Sequence, residues 1–261
     1  MARRSDLVAE PPAHKPDYGN WVRARLLYVP GLTTILLAGF SFVFPVLLAV
    51  ALLPLLCFVY FAYARYRFSP QGGNIQAIVR DLIQVHLEWD GEGKVIDIGC
   101  GNAPLTISLA KKYPNTKITG VDYWAGAWGY SKTICEKNAE IEGVAMRVSF
   151  QRASASALPF DDGSFDAAVS NLVFHEVRDA KDKKEVIKEA LRIVRKDGAF
   201  VFQNLFLRKR IYGEIDDLLE TMKSWGIERV ESVNTSSFEF IPKALKLPFM
   251  LGTMGILYGK K

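Results

Sequence analysis

From Leu26 to Ala64 the chain reads "LLYVPGLTTILLAGFSFVFPVLLAVALLPLLCFVYFAYA", thirty-nine residues without a single charge. Apolar surface on this scale must be removed from water, at roughly 25 cal/mol per Å². In helical form the run extends roughly 58 Å, about twice a ~30 Å hydrocarbon core, so one straight span would need extreme tilt. Gly39, Ser41 and Pro45 supply the turn chemistry near its middle. The reading is a transmembrane helical hairpin with arms over 24–43 and 46–65. Arg23 and Arg25 flank one end and Arg65 and Arg67 the other, which places both ends on the cytoplasmic side. Trp21, Tyr28, Tyr60, Tyr63 and Tyr66 fall where an interfacial aromatic belt lies. A cleavable signal peptide does not fit, because its apolar region is far shorter and a polar tract precedes this one. A hairpin dipping into one leaflet and a core hairpin of a soluble protein stay open.

The net charge of +5 suits an anionic surface, but no Lys/Arg block with interleaved aromatics appears, so nucleic acid is not an expected partner. Cys57, Cys100 and Cys135 are widely spaced, and the histidines are His14, His86 and His175. That pattern suggests neither a structural metal site nor a disulfide framework.

Beyond Ser69 the pattern changes to alternation. "IQAIVRDLIQVHLEW" (75–89) has helical apolar spacing, and "KVIDIGC" (94–100) is a continuous β-rich run of the kind covered on both faces. Helices are expected over 103–113, 129–143, 183–195 and 214–225. Strands are expected over 117–122, 146–153, 165–171, 198–204, 227–233 and 252–258. Alternation of this kind predicts a parallel doubly wound α/β sheet with ligands beyond the carboxyl ends of its strands. Three regions follow: a polar tail over 1–23, the hairpin over 24–68 and a soluble domain over 69–261. A fragment lacking 1–68 is expected to fold and bind ligand.

Gly99 and Gly101 let the backbone turn tightly and approach a ligand, while Pro104 takes a first-turn helix position where a missing N–H does no harm. The turn lacks the last glycine of the dinucleotide fingerprint, which argues against a nicotinamide-dependent reductase. Asp122 ends the second strand, where a carboxylate can accept hydrogen bonds from both ribose hydroxyls. Asp97 lies inside the first strand and needs turn N–H groups or a cationic ligand as partners.

The segments "VIDIGCG", "GVDYW", "LPFDDGSFDAAVSNLVFHEV" and "EALRIVRKDGAFVFQN" together resemble the class I S-adenosylmethionine-dependent methyltransferases of the type 11-like group, over about residues 75–261. The resemblance implies a Rossmann-like seven-stranded sheet whose last strand, "TMGILYG" (253–259), is antiparallel. It implies S-adenosylmethionine as cofactor, its amino-acid end on Asp97, Gly99, Cys100 and Gly101, its ribose on Asp122 and its adenine against Tyr123. Ser154, followed by Ala155, stands where the family usually places an acid touching the adenine amine. Asn171 is expected to line the same pocket.

Methyl transfer is an in-line displacement that mainly requires alignment and exclusion of water, with a general base only where the acceptor must lose a proton. His175 is the candidate base; packing is its other reading. Trp124, Trp128 and Tyr130 are either an acceptor wall or helix packing. "FIPKALKLPFMLG" (240–252) is either a lipid-facing surface or a core loop. The expected function is methylation of a lipid-like or hydrophobic acceptor (headgroup amine, quinone or prenyl lipid) by an enzyme seated in the lipid bilayer with its catalytic domain cytoplasmic. A tethered cofactor-binding protein without catalysis, or an enzyme with a soluble acceptor, are the alternatives.

Overall fold

The computed structural model describes residues 15–124 and 129–261. The apolar run forms two helices, α1 (Arg25–Phe40) and α2 (Val46–Phe68), lying side by side and joined by a turn over 41–45. The hydroxyls of Thr33 and Thr34 donate to Val29 O and Pro30 O within α1, so neither needs water. The expected arms ran to 43 and 65; α1 stops at Phe40 and α2 continues to Phe68. Among the described residues only α2 is long and apolar enough to cross a bilayer, with a mean hydropathy of 2.5. At 16 residues, α1 reaches only about 24 Å. The reading as a core hairpin fails on exposure: no α1 residue is buried, and in α2 only Ala51, Ala64 and Phe68 are.

The soluble part is a seven-stranded sheet in the order β3-β2-β1-β4-β5-β7-β6. The strands are β1 (Gly93–Ile98), β2 (Thr116–Asp122), β3 (Val148–Arg152), β4 (Phe165–Asn171), β5 (Val194–Asn204), β6 (Arg229–Asn234) and β7 (Gly255–Lys260). The first five run parallel, and β7 is antiparallel to both β5 and β6, as the resemblance implied. Between the strands lie α3 (Ile75–His86), α4 (Pro104–Lys112), α5 (Lys132–Ile141), α6 (Lys183–Arg192), the single turn α7 (Lys209–Tyr212) and α8 (Ile215–Ser224).

Residues of β1 alternate between the two faces, as the strand period of two requires. Val95 packs among Ile83, Leu105, Leu109, Cys135 and Ala139 of α3, α4 and α5. Ile96 and Ile98 pack on the other face among Val186, Ile187, Ala190 and Leu191 of α6 and Leu218 and Met222 of α8. Chain order reverses between β1 and β4, which opens the switch-point crevice at Ile98 and Asn171.

A third cluster joins the helix pair to the sheet domain. Val22, Ala64 and Phe68 are buried with Ile75, Val79, Leu205, Ile241, Leu245, Leu251 and Met254. The segment before α1 crosses the domain as a strap. Asp17 O accepts from the amides of Asn102 and Asn138, and Gln76 Nε2 donates to Gly19 O. Packing therefore crosses the sequence boundary at residue 69.

Candidate active site

The turn after β1 is built on three alternate left-handed positions: Gly99 at φ 78°, Gly101 at φ 59° and Ala103 at φ 66°. Two are glycines, for which this region is unstrained; Ala103 tolerates it at a cost of about 1–2 kcal/mol. The N–H groups of Gly99 and Cys100 both donate to Val121 O, tying the turn to β2 at 2.7 and 3.0 Å. Pro104 opens α4 as expected. The Cys100 thiol is buried, which pushes its pKa up and keeps it protonated.

Asp122 occupies the far side of this turn. Its Oδ2 accepts from Gly101 N at 2.9 Å and its Oδ1 from Trp124 N at 2.8 Å. A carboxylate has about four acceptor sites, so capacity remains for a ligand hydroxyl. The Trp124 indole donates to Gly101 O at 2.9 Å, and the Tyr130 ring lies within van der Waals reach of Gly101. Trp124 thus braces the turn, and Tyr130 lines the cavity beside it. Trp128 lies outside the described residues. Tyr123 is more than half exposed at the strand tip, with the Arg152 guanidinium 5.0 Å from its ring centre.

Asp97 is buried under the turn and accepts from Thr106 Oγ1 at 2.6 Å. Burial pushes its pKa up to about 7, opposed by the Thr106 hydrogen bonds. A folded value above the unfolded 3.8 means that the folded state holds the proton more tightly. This site's contribution to stability is fully present below pH 3.8 and is lost as pH rises through about 7. Urea unfolding between pH 4 and 7.5 is expected to show that decline in the wild type and a flatter profile in Asp97→Asn; equal slopes would mean that the carboxyl ionises freely in the fold.

Ser154 donates from Oγ to Asp179 Oδ2 at 2.7 Å, and Ser156 lies against the same hydroxyl at 2.8 Å. The two serine hydroxyls hold the Asp179 carboxyl below the usual carboxylate range. A carboxylate thus stands beside position 154 although the sequence places none at it. Ala155 is part of the core on the α6 side.

At the carboxyl ends of β4 and β5, Asn171 Oδ1, Gln203 Oε1 and Asn204 Nδ2 are buried without a hydrogen-bond partner among the described residues, and Asn171 and Gln203 are register neighbours. Unmatched buried polar atoms are uncommon and costly, and here they gather at the switch point, where a polar ligand is able to satisfy them. His175 follows β4. Its Nδ1 lies 2.5 Å from Asn204 Oδ1, the same oxygen that accepts from Leu205 N at 2.7 Å. Leu205 N–H can only donate, so the acceptor is the amide oxygen and His175 Nδ1 must carry the proton. Its Nε2 is then a lone pair. Burial lowers the His175 pKa below 6.5, so this tautomer is neutral at physiological pH. Asn204 and Thr106, which set the states of His175 and Asp97, carry no motif signal; the only clue was a polar residue at the end of β5 and a hydroxyl on the first turn of α4.

The residues present fit a cationic nucleoside. Asp97 offers a buried carboxyl that a cation would ionise, Asp122 offers free acceptor sites, and Asn171 offers an unmatched acceptor. Residues 96–202 match the family described as "Methyltransferase domain". The chain is 31% identical over 113 residues to a ubiquinone/menaquinone biosynthesis C-methyltransferase of Geotalea uraniireducens, covering 42% of this chain and 44% of that one. It is 30% identical over 161 residues to a methyltransferase of Streptomyces halstedii, covering 59% and 53%. The chain spans about half the length of these relatives. A geranyl diphosphate methyltransferase solved with its cofactor shares the fold at TM-score 0.55 and 13% identity, covering 76% of this chain and 89% of that one. Turn, sheet order, antiparallel β7 and family match agree on an S-adenosylmethionine-dependent methyltransferase, with residues 96–202 carrying the match.

Proposed function

We propose that the whole chain is a bilayer-seated methyltransferase acting on a lipid-like or other hydrophobic acceptor. The observation that carries this reading is the exposure of the helix pair: Leu32, Leu36, Phe40, Phe42, Leu53 and Leu56 all face outward while the domain core is complete without them. Such a surface needs an apolar covering. Two neighbours support the same orientation. Tyr60 OH donates to Ala244 O at 3.1 Å, and the loop over 240–252 buries Ile241, Leu245 and Leu251 while Leu247 and Phe249 stay exposed beside α2. This loop is core on one side and lipid-facing on the other. The short α1 favours a hairpin that enters the bilayer obliquely over one that spans it twice. The quinone-methylating relative supports a hydrophobic acceptor.

S-adenosylmethionine, when bound, supplies an activated methyl on a sulfonium. The chain's residues do the rest. Asp97 would pair with the ligand's ammonium, Asp122 would accept from its ribose hydroxyls, Tyr123 would contact its adenine, and Ser154, oriented by Asp179, would receive its amine. The turn at Gly99–Gly101 holds the backbone close. His175 Nε2 takes a proton from an acceptor that must lose one, and Asn204 holds the tautomer that makes this possible.

The direct test is incubation of the full chain with labelled methyl donor and host membranes, followed by identification of the product. A labelled lipid is expected; label confined to soluble compounds would remove the bilayer-acceptor reading. Asp122→Ala is expected to weaken S-adenosylhomocysteine binding by about 1.5–3 kcal/mol, the range for hydrogen bonds to a charged group. Unchanged affinity by calorimetry would take the ribose away from this carboxylate. His175→Ala is expected to lower kcat by about 10²–10⁴ with little change in cofactor affinity. Because its pKa is depressed, the acid limb of the wild-type kcat/KM profile should fall below pH 6.5. Full turnover in the variant would reduce His175 to packing.

A further inference from the structure

A cavity of about 400 Å³ lies where the helix pair meets the glycine turn, and its lining brings Arg23, Arg25 and Arg65 together with Asn102 and Tyr130. In sequence these arginines are ordinary flanks of an apolar run. The fold brings them together in one lining beside the turn. Arg65 anchors the cavity wall by donating from Nη1 to Val22 O at 2.5 Å, while Asn20 Nδ2 donates to Arg65 O. Among the described residues no carboxylate forms an ion pair with Arg25 or Arg65. The guanidiniums also disfavour one another. Burial lowers the proton affinity of Arg23 most; the Glu176 carboxylate opposes it, Arg25 and Arg178 add to it, and Tyr130 acts with Glu176. Asp17 is the single acid of the lining among the described residues, and its Oδ1 is engaged by Gly19 N. The start of α1 adds a further positive element: Ala24 provides no side-chain cap and the first turn holds no acid.

We infer that this cavity binds the phosphate or diphosphate of an amphiphilic acceptor, with its apolar tail along α1 and α2 and its headgroup beside the turn at Asn102. Guanidiniums match phosphate oxygens in pairs, and an anion offsets the mutual repulsion of crowded like charges. The lining draws on the strap before α1, on Arg25 and Arg65 of the helix pair and on Asn102 of the turn, so a headgroup held here lies beside both the helices and the turn. This assignment deepens the methyltransferase reading and rests on it for the identity of the bound molecule as acceptor.

The test uses the full chain in non-ionic detergent with three probes, farnesyl monophosphate, farnesol and inorganic phosphate, and with S-adenosylhomocysteine as a separate ligand. Farnesyl monophosphate is expected to bind at least tenfold more tightly than farnesol. Arg25→Ala should remove about tenfold of that affinity and Arg25→Glu more, while farnesol binding stays unchanged. Arg65→Lys, which keeps the charge and spares the fold, should cost less than Arg65→Ala. S-adenosylhomocysteine affinity should remain within twofold throughout. Equal binding of farnesol and its phosphate, or no response to Arg25→Glu, overturns the assignment. A parallel loss of S-adenosylhomocysteine binding also overturns it, since the cavity would then hold the cofactor's own carboxylate. Inorganic phosphate binding as tightly as the amphiphile replaces a lipid headgroup with a soluble anion and overturns the lipid assignment. Failure of the wild type to bind S-adenosylhomocysteine while binding the phosphate probe would instead strike the methyltransferase reading and leave the cavity in place.

Discussion

Deleting residues 1–68 is expected to cost the domain more than about 3 kcal/mol, the lower end for losing one buried aromatic side chain. Excising residues 29–59 behind a short Gly/Ser linker is expected to leave it folded and able to bind S-adenosylhomocysteine. The difference lies in which residues each change removes. The full deletion takes Val22, Ala64 and Phe68, all nearly inaccessible to solvent, and the edge-on contact of Trp21 with Phe68 at 5.4 Å between ring centres. It also strips Asn102 and Asn138 of the Asp17 carbonyl and Gln76 of the Gly19 carbonyl, leaving polar groups beside the glycine turn without partners. The excision keeps all of these and removes only residues of the exposed helix pair and its turn. It should abolish co-sedimentation with vesicles and leave the denaturant midpoint of the domain close to that of the full chain. A deletion of 1–68 with an unchanged midpoint would show that the strap and the end of α2 contribute nothing to the core.

Gly99→Ala is expected to destabilise the fold by about 2–5 kcal/mol, the sum of a left-handed backbone penalty and an overpacking penalty. An added Cβ would stand 2.0 Å from Val173 Cγ2, inside a backbone position at φ 78°. Val173 cannot retreat cheaply, because it packs on the buried cluster that includes Phe174. The turn must move instead, and with it the N–H of Gly101 that fixes Asp122. S-adenosylhomocysteine affinity should therefore fall together with stability. Val173→Ala in the same chain is expected to return the overpacking part and leave the backbone part, a non-additivity measurable by a double-mutant cycle. A Gly99→Ala protein with wild-type stability and affinity would mean that the turn has slack this geometry does not show.

The strand–turn–helix unit around Gly99 was legible because its signals are local: a β-rich run, two glycines and a proline at the first helical position. The chain order of the remaining strands was legible for the same reason, and their boundaries fell within a few residues except for β5. That strand starts at Val194, four residues before the expected 198, because Val194 pairs with Phe165 across a register shift. The helix pair was legible in existence but not in length. Composition marks where charge is absent, whereas α1 ends where Ser41 and Pro45 turn the backbone.

Sequence alone determined that a long uncharged run precedes a strand–glycine turn–helix unit and that strands and helices alternate behind it, because burial periodicity and turn chemistry act over a few neighbouring residues. Tertiary structure alone decided which proton His175 carries, what stands beside Ser154 and what the flanking arginines surround. Asn204 lies 29 residues from His175, Asp179 lies 25 from Ser154 and Asp17 lies 85 from Asn102. Pairings at that separation are set by how the layers close over one another, and no local pattern encodes them.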